Sequence, residues 1–243
     1  MKAHPAMTAF RVVLSILSAT VAFAAVAFGV HWAFTDPSSP LPREWNPLRE
    51  LVVTDPVTPV THFKLRRVLD DPDICLQVLA QGGRYQSMPP LVEGERCGIA
   101  NRVDLSGVGA ARLRAVETSC ETALRVAMWE QHGVQPAAEA HFGQGVKELR
   151  HIGSYNCRPI RGARTRMSTH ATAASIDIRG VVLADGTRID LLSGWTGPPA
   201  QKAFFQELRD SGCQWFSTVL GPEYNALHAD HFHMQNNGWG TCR

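Results

Sequence analysis

The stretch His228-Ala229-Asp230-His231-Phe232-His233, read with Ser168-Thr169-His170 and Asp177 upstream, decides what kind of domain this chain builds. Three of the chain's ten histidines fall within those six residues. Crowded beside apolar Phe232 and Met234, several titratable groups would be desolvated without compensation unless something holds them together. A divalent cation does that. Zinc in an open catalytic site takes three nitrogen or oxygen ligands and keeps its fourth position for water, whose pKa it lowers to about 7. Two imidazoles and one carboxylate meet that demand. In an extended segment His231 and His233 share one side while Phe232 turns to the other. His170 follows a loop-like run over residues 162–169, and Asp177 lies seven residues beyond it.

Other chemistries fit less well. A non-haem iron site also uses two histidines and a carboxylate, but no motif here suggests a redox co-substrate. Ser168 as a nucleophile beside His170 and Asp177 lacks the G-x-S-x-G elbow and would leave the late histidines idle. His62, His132, His141 and His151 stand alone in sequence and read as surface or satisfied core residues. With a net charge of +2, 19% charged residues and no long basic run, nothing marks a nucleic-acid surface, which needs clustered Lys and Arg.

The N-terminus has a separate role. Residues 12–30 are almost wholly apolar, Lys2 and Arg11 precede them, and the next charge is Asp36. A helix of that length crosses a bilayer core, and the charge bias leaves the N-terminus in the cytoplasm and the rest of the chain outside. A cleaved signal peptide competes, because Ala22-Phe23-Ala24 and Ala25-Val26-Ala27 resemble cleavage sites; the apolar run continues past both, which favours an uncleaved anchor. We therefore expect residues 1–34 to be the anchor or signal segment, 35–62 a Pro-containing extended linker, and 63–243 one exported domain. The implied location is the inner membrane, single-pass, with the domain in the periplasm.

Cys75, Cys97, Cys120, Cys157, Cys213 and Cys242 all follow the span, and none forms a CxxC pair. An even number in an exported domain predicts three disulfides; of fifteen possible pairings, the sequential one is preferred, with Cys213–Cys242 clamping the histidine cluster. Residues 112–131 carry apolar positions at helical spacing, ended by Gly133, and residues 136–149 predict a second helix. Ile176, Ile178 and residues 181–183, then Asp185-Gly186, then Ile189, Leu191 and Leu192 predict a hairpin that puts Asp177 on a strand. A helix over 198–211 and strands at 215–220 and around His231 and His233 complete an α+β domain.

Ser168-x-His170-x6-Asp177 followed by Asp230-His231-x-His233 resembles the signature of the hedgehog/D-Ala-D-Ala peptidase superfamily. Tyr155-Asn156-Cys157-Arg158, the run through Asp177-Ile178, residues 218–222 and 228–233 resemble more narrowly the bacterial extensin-like C-terminal domain family, over residues 73–242 with the cysteines included. The resemblance implies a superfamily zinc domain with an antiparallel sheet and flanking helices. It implies that His170, Asp177 and His233 bind one Zn²⁺, with His231 beside them to stabilise an oxyanion. Asp230 or His228 is the implied general base, Asp230 being preferred, and Arg158 and Ser168 are the implied substrate contacts. The implied activity is that of a zinc carboxypeptidase or endopeptidase on peptidoglycan peptides; the alternative is a non-catalytic, zinc-stabilised wall-binding or scaffolding module. Where the superfamily often has Gly and Ala between its ligands, this chain has Ala173 and Ser175, which fit if the backbone there needs no positive φ.

Overall fold

A computed structural model describes residues 5–163 and 165–243; Lys2 lies outside them, as does one residue of the 162–169 loop. Within the described residues the chain divides into two compact units, one running to Leu51 together with Pro56–Leu65, the other Val52–Asp55 with Arg66–Arg243. In the first, helix α1 (Pro5–Thr35) contains a 27-residue stretch, Ala9–Thr35, that is apolar and unburied. At ~1.5 Å per residue it exceeds the ~30 Å hydrocarbon core, the length expected of either an anchor or a signal sequence. Residues 35–62, expected as an extended linker, hold a 3-10 turn at Arg43–Trp45, and the Asn46 side chain donates to the Phe34 carbonyl at 2.8 Å.

Helix α2 (Thr61–Leu69) leads to α3 (Pro72–Leu79), which starts where Asp71 accepts from the amides of Asp73 and Ile74. Strand β1 (Gly83–Ser87), the hairpin β2 (Leu91–Glu93) and β3 (Cys97–Ile99), and strands β4 (Arg102–Val108) and β5 (Ala111–Ser119) follow. The chain then forms α4 (Cys120–Trp129), α5 (Gln135–Phe142), β6 (Val146–Gly153), β7 (Ser175–Leu183), β8 (Arg188–Asp190), α6 (Leu191–Gly194), α7 (Pro199–Trp215), β9 (Thr218–Leu220) and β10 (Phe232–Gln235). The main sheet runs β1-β4-β5-β6-β7-β10-β9, with β8 on β7. One pairing departs from the antiparallel expectation: β5 and β6 are parallel, through Arg112 and Glu148. Parallel neighbours need a long crossover, and α4 and α5 supply it.

Two predicted helices are corrected by this arrangement. Residues 111–119 form β5, in which Ala111 and Leu113, then Val116 and Thr118, are buried on either side of a shift in the β4–β5 register; the helix starts only at Ser119, whose hydroxyl caps it by accepting from Thr122. Gly133 does not stop it. The chain passes through a wider π turn, Glu130–Val134, into α5. A Cβ on Gly133 would come within 2.6 Å of the Ser211 hydroxyl, so the glycine is what lets α7 approach. The second predicted helix ends at Phe142, where Gly143 takes up φ 63°, and residues 146–149 belong to β6. The hairpin is as predicted up to Asp190, beyond which Leu191 and Leu192 turn into α6.

Helices α4, α5 and α7 pack around Trp129, Trp215, Phe204 and Phe205, all essentially fully buried; burial of each such side chain contributes roughly 2–3 kcal/mol. Alternation on β7 sends Ile176 and Ile178 into this core and leaves Asp177 and Arg179 on the other face. On β10, Phe232 and Met234 face the core likewise, and His233 stands directly opposite Asp177 in the ladder.

The disulfides are Cys75–Cys120, Cys97–Cys157 and Cys213–Cys242. The third matches the sequential pairing and the other two correct it: Cys75 on α3 meets the first residue of α4, while the β2–β3 hairpin carries Cys97 to Cys157.

Glu130 gives the fold a pH response. One carboxylate oxygen accepts from the Ala110 and Ala111 amides and Gln135, while the other is buried without a partner. Burial pushes this carboxyl above the ordinary Glu range, against those hydrogen bonds. The folded state therefore holds the proton more tightly than the unfolded chain, and stability falls as pH rises from the unfolded pKa of about 4.3 through the raised folded value. Chemical denaturation across that window is expected to show the decline in wild type and a flatter profile in Glu130→Gln; parallel profiles would refute the assignment.

Candidate metal centre

Each ligand candidate arrives on a different element. His170 sits on the 3-10 turn Thr169–Thr172, Asp177 on β7 and His233 on β10. Their ligand atoms lie within 4.8 Å of one another. His170 Nε2 is 3.1 Å from His233 Nδ1 and 3.2 Å from Asp177 Oδ2, and His233 Nδ1 is 2.8 Å from Asp177 Oδ1.

The outer partners of both rings set their tautomers. His170 Nδ1 faces the Ser154 carbonyl at 2.6 Å, so it donates there and leaves Nε2 as a lone pair. His233 Nε2 faces Gln235 Oε1 at 3.0 Å, and that amide is oriented by its own donation to the Asn237 carbonyl. His233 therefore donates outward from Nε2 and points its Nδ1 lone pair inward. In those tautomers two imidazole lone pairs and a carboxylate converge. Such a set repels itself unless a cation occupies the middle. Donors of a tetrahedral zinc centre stand about 3.3 Å apart, close to the 3.1 Å between the two imidazole nitrogens, while each nitrogen approaches a different oxygen of Asp177 at 3.2 and 2.8 Å. The residues present fit the metal. Burial raises the Asp177 carboxyl, but when either ring is protonated towards it the donated hydrogen bond and charge of His170 and His233 outweigh burial and hold it far below the usual range.

His231, one residue before β10, turns Nε2 towards Asp177 Oδ2 at 3.8 Å and Nδ1 towards Asp230 Oδ1 at 2.9 Å. Asp230, preferred on spacing as the base, is thus engaged with His231; their hydrogen bond lowers its pKa, and its side chain is 46% exposed. His228 faces the centre more directly. Its Nδ1 lies 2.8 Å from Asn225 Oδ1, an oxygen that also accepts from the Leu227 amide, so His228 donates there and keeps Nε2 as a free lone pair. Burial, then repulsion from His231 and His233, lowers its pKa to about 4.

His170, Asp177, His228, His231 and His233 line a cleft of about 490 Å³ together with Arg158, Arg161 and Arg166. A family model described as extensin-like protein C-terminus matches residues 73–243. The chain belongs to that family. No curated protein and no solved structure matches the chain.

The extensin-like domain brings its Tyr155-Asn156-Cys157-Arg158 run to the cleft by three attachments. Tyr155 donates to Glu93 at 2.7 Å, the Asn156 amide to the His170 carbonyl at 3.0 Å, and Cys157 bridges to Cys97. Among the described residues the Arg158 guanidinium makes one long contact, to the Pro159 carbonyl at 3.4 Å. Ser168 is buried and caps the turn by accepting from the His170 amide, so it positions His170. Ala173 does need positive φ, at 51°, contrary to the condition set on the sequence. That conformation costs an alanine roughly 1–2 kcal/mol, offset by hydrogen bonds from Ser119 and Thr122 to its carbonyl. Reasoning from sequence missed Gln235 and Asn225. The period of two that pairs His231 with His233 also reaches Gln235, and Asn225 precedes His228 as a capping residue.

Proposed function

We propose that the extensin-like domain is a zinc-dependent peptidase of the hedgehog/D-Ala-D-Ala peptidase superfamily, acting on peptidoglycan peptides. The observation that carries this reading is the convergence of His170, Asp177 and His233 in an open cleft. In this reading α1 is an inner-membrane anchor and the domain is periplasmic, a placement that suits three disulfides.

Bound zinc would polarise a carbonyl and lower the pKa of water to about 7. The chain's own residues supply the rest. His228 takes a proton at Nε2 and returns it to the leaving amine, its ring steadied by Asn225. His231, in its doubly protonated form, gives Nδ1–H to Asp230 and donates from Nε2 to the oxygen on which negative charge develops. Arg158 receives a substrate carboxylate in two-pronged fashion.

The test is digestion of crosslinked muropeptides by the zinc-supplemented full chain in detergent, followed by mass spectrometry. We expect cleaved stems, and a roughly 10²–10⁴-fold lower kcat in His228→Ala at unchanged zinc content. A wild-type chain that holds zinc and binds muropeptides without cutting them would instead make the domain a wall-binding module.

A further inference from the structure

The floor of the metal cleft does not end at the metal centre. Ile152, 43% exposed, lines both that cleft and a second one of about 330 Å³ walled by Arg114 on β5, Arg150 on β6 and Arg179 on β7. Arg179 follows Asp177 by two residues, so it leaves the same face of the sheet about 7 Å farther along the strand, the span of two extended peptide residues.

The carboxylates near this bay are already engaged. Asp190 is paired with Arg150 and Arg188, and Glu148 with Arg112. Arg179 Nε stands 4.0 Å from Asp190, beyond hydrogen-bonding distance, and among the described residues its guanidinium makes no hydrogen bond. Among the described residues the hydrogen bond of Arg114 is through its carbonyl, to His151 at 2.7 Å. Two guanidiniums therefore border the bay with their donors uncommitted, and paired N–H groups of that kind match a carboxylate. Arg179 is also close enough for its charge to reach Asp230, after the larger effect of His231.

We propose that Arg114 and Arg179 form an accessory subsite that grips a carboxylate of an extended acidic peptide, whose chain passes over Ile152 to the metal centre. This rests on the peptidase reading and adds a substrate class to it: chains with an acidic group about two residues from the reacting position.

The experiment is fluorescence anisotropy of the full chain in detergent with two labelled γ-glutamyl tetrapeptides, one with a free α-carboxylate and one with that group amidated. It is run with zinc and after chelation, and zinc content is measured in parallel. Wild type is expected to bind the acid about ten-fold or more tightly than the amide, and Arg114→Gln/Arg179→Gln to lose that difference at unchanged zinc content. Equal binding of the two probes by wild type, or a preference that survives the double substitution, overturns the subsite. The chelated arm reads it without turnover, so absence of cleavage or of zinc uptake would refute the peptidase reading separately.

Discussion

His170→Ala is expected to abolish stoichiometric zinc uptake, with affinity falling by more than the 10–100-fold typical of losing an outer-shell partner. Gln235→Leu, which removes the acceptor that holds the His233 tautomer, is expected to fall within that 10–100-fold range. The graded pair tests the tautomer argument as well as the ligand set. A cation that binds only the folded state stabilises it by about 2.7 kcal/mol at a hundred times its Kd. For a domain of this size that corresponds to a Tm gain of roughly 5–10 °C on adding zinc. The gain should be present in wild type, reduced in Gln235→Leu and absent in His170→Ala, read by calorimetry with metal analysis. If wild type neither takes up zinc nor changes Tm with a chelator, the centre is not a metal site.

The second large effect is structural. Cys213→Ser/Cys242→Ser opens a loop of 29 residues, which is expected to cost about 3–4 kcal/mol. The bridge holds the C-terminal tail against β9, where Val219 donates to Thr241 at 2.9 Å and Arg243 to Val219 at 3.0 Å. β9 in turn pairs Leu220 with His233. Loosening the tail should therefore raise amide exchange in β9 and β10 before it does so in β4 and β5, and weaken zinc binding without touching a ligand. Unchanged exchange across β9 and β10, together with an unmoved Tm, would show that the tail is held by other means.

Much of the site was legible because its information is local. The six-residue histidine cluster, its alternation, and the hairpin that carries Asp177 follow from spacing and turn chemistry alone. What failed was non-local or depended on a change of period. Leu113, Val116 and Cys120 satisfy a helical stripe, yet Ala111 and Thr118 extend the same positions into strand alternation, and only the sheet decides between them. The Ser119 cap before Glu121 and Thr122 was the local signal of the true boundary. Disulfide partners were beyond reach for a similar reason, since Cys75 meets Cys120 only after α3 and α4 have packed. The proposal of His228 over Asp230 as the base rests on side-chain directions, which spacing does not supply when the segment before β10 is a turn.

His233 and Asp177 face one another across a single rung of the β7–β10 ladder. Were those strands to mispair by one residue, His233 or Asp177 would swing to the side occupied by Phe232 and Ile178. A captured ion would then act as a proofreading pin for the sheet, rewarding only the alignment that also brings His170 within reach.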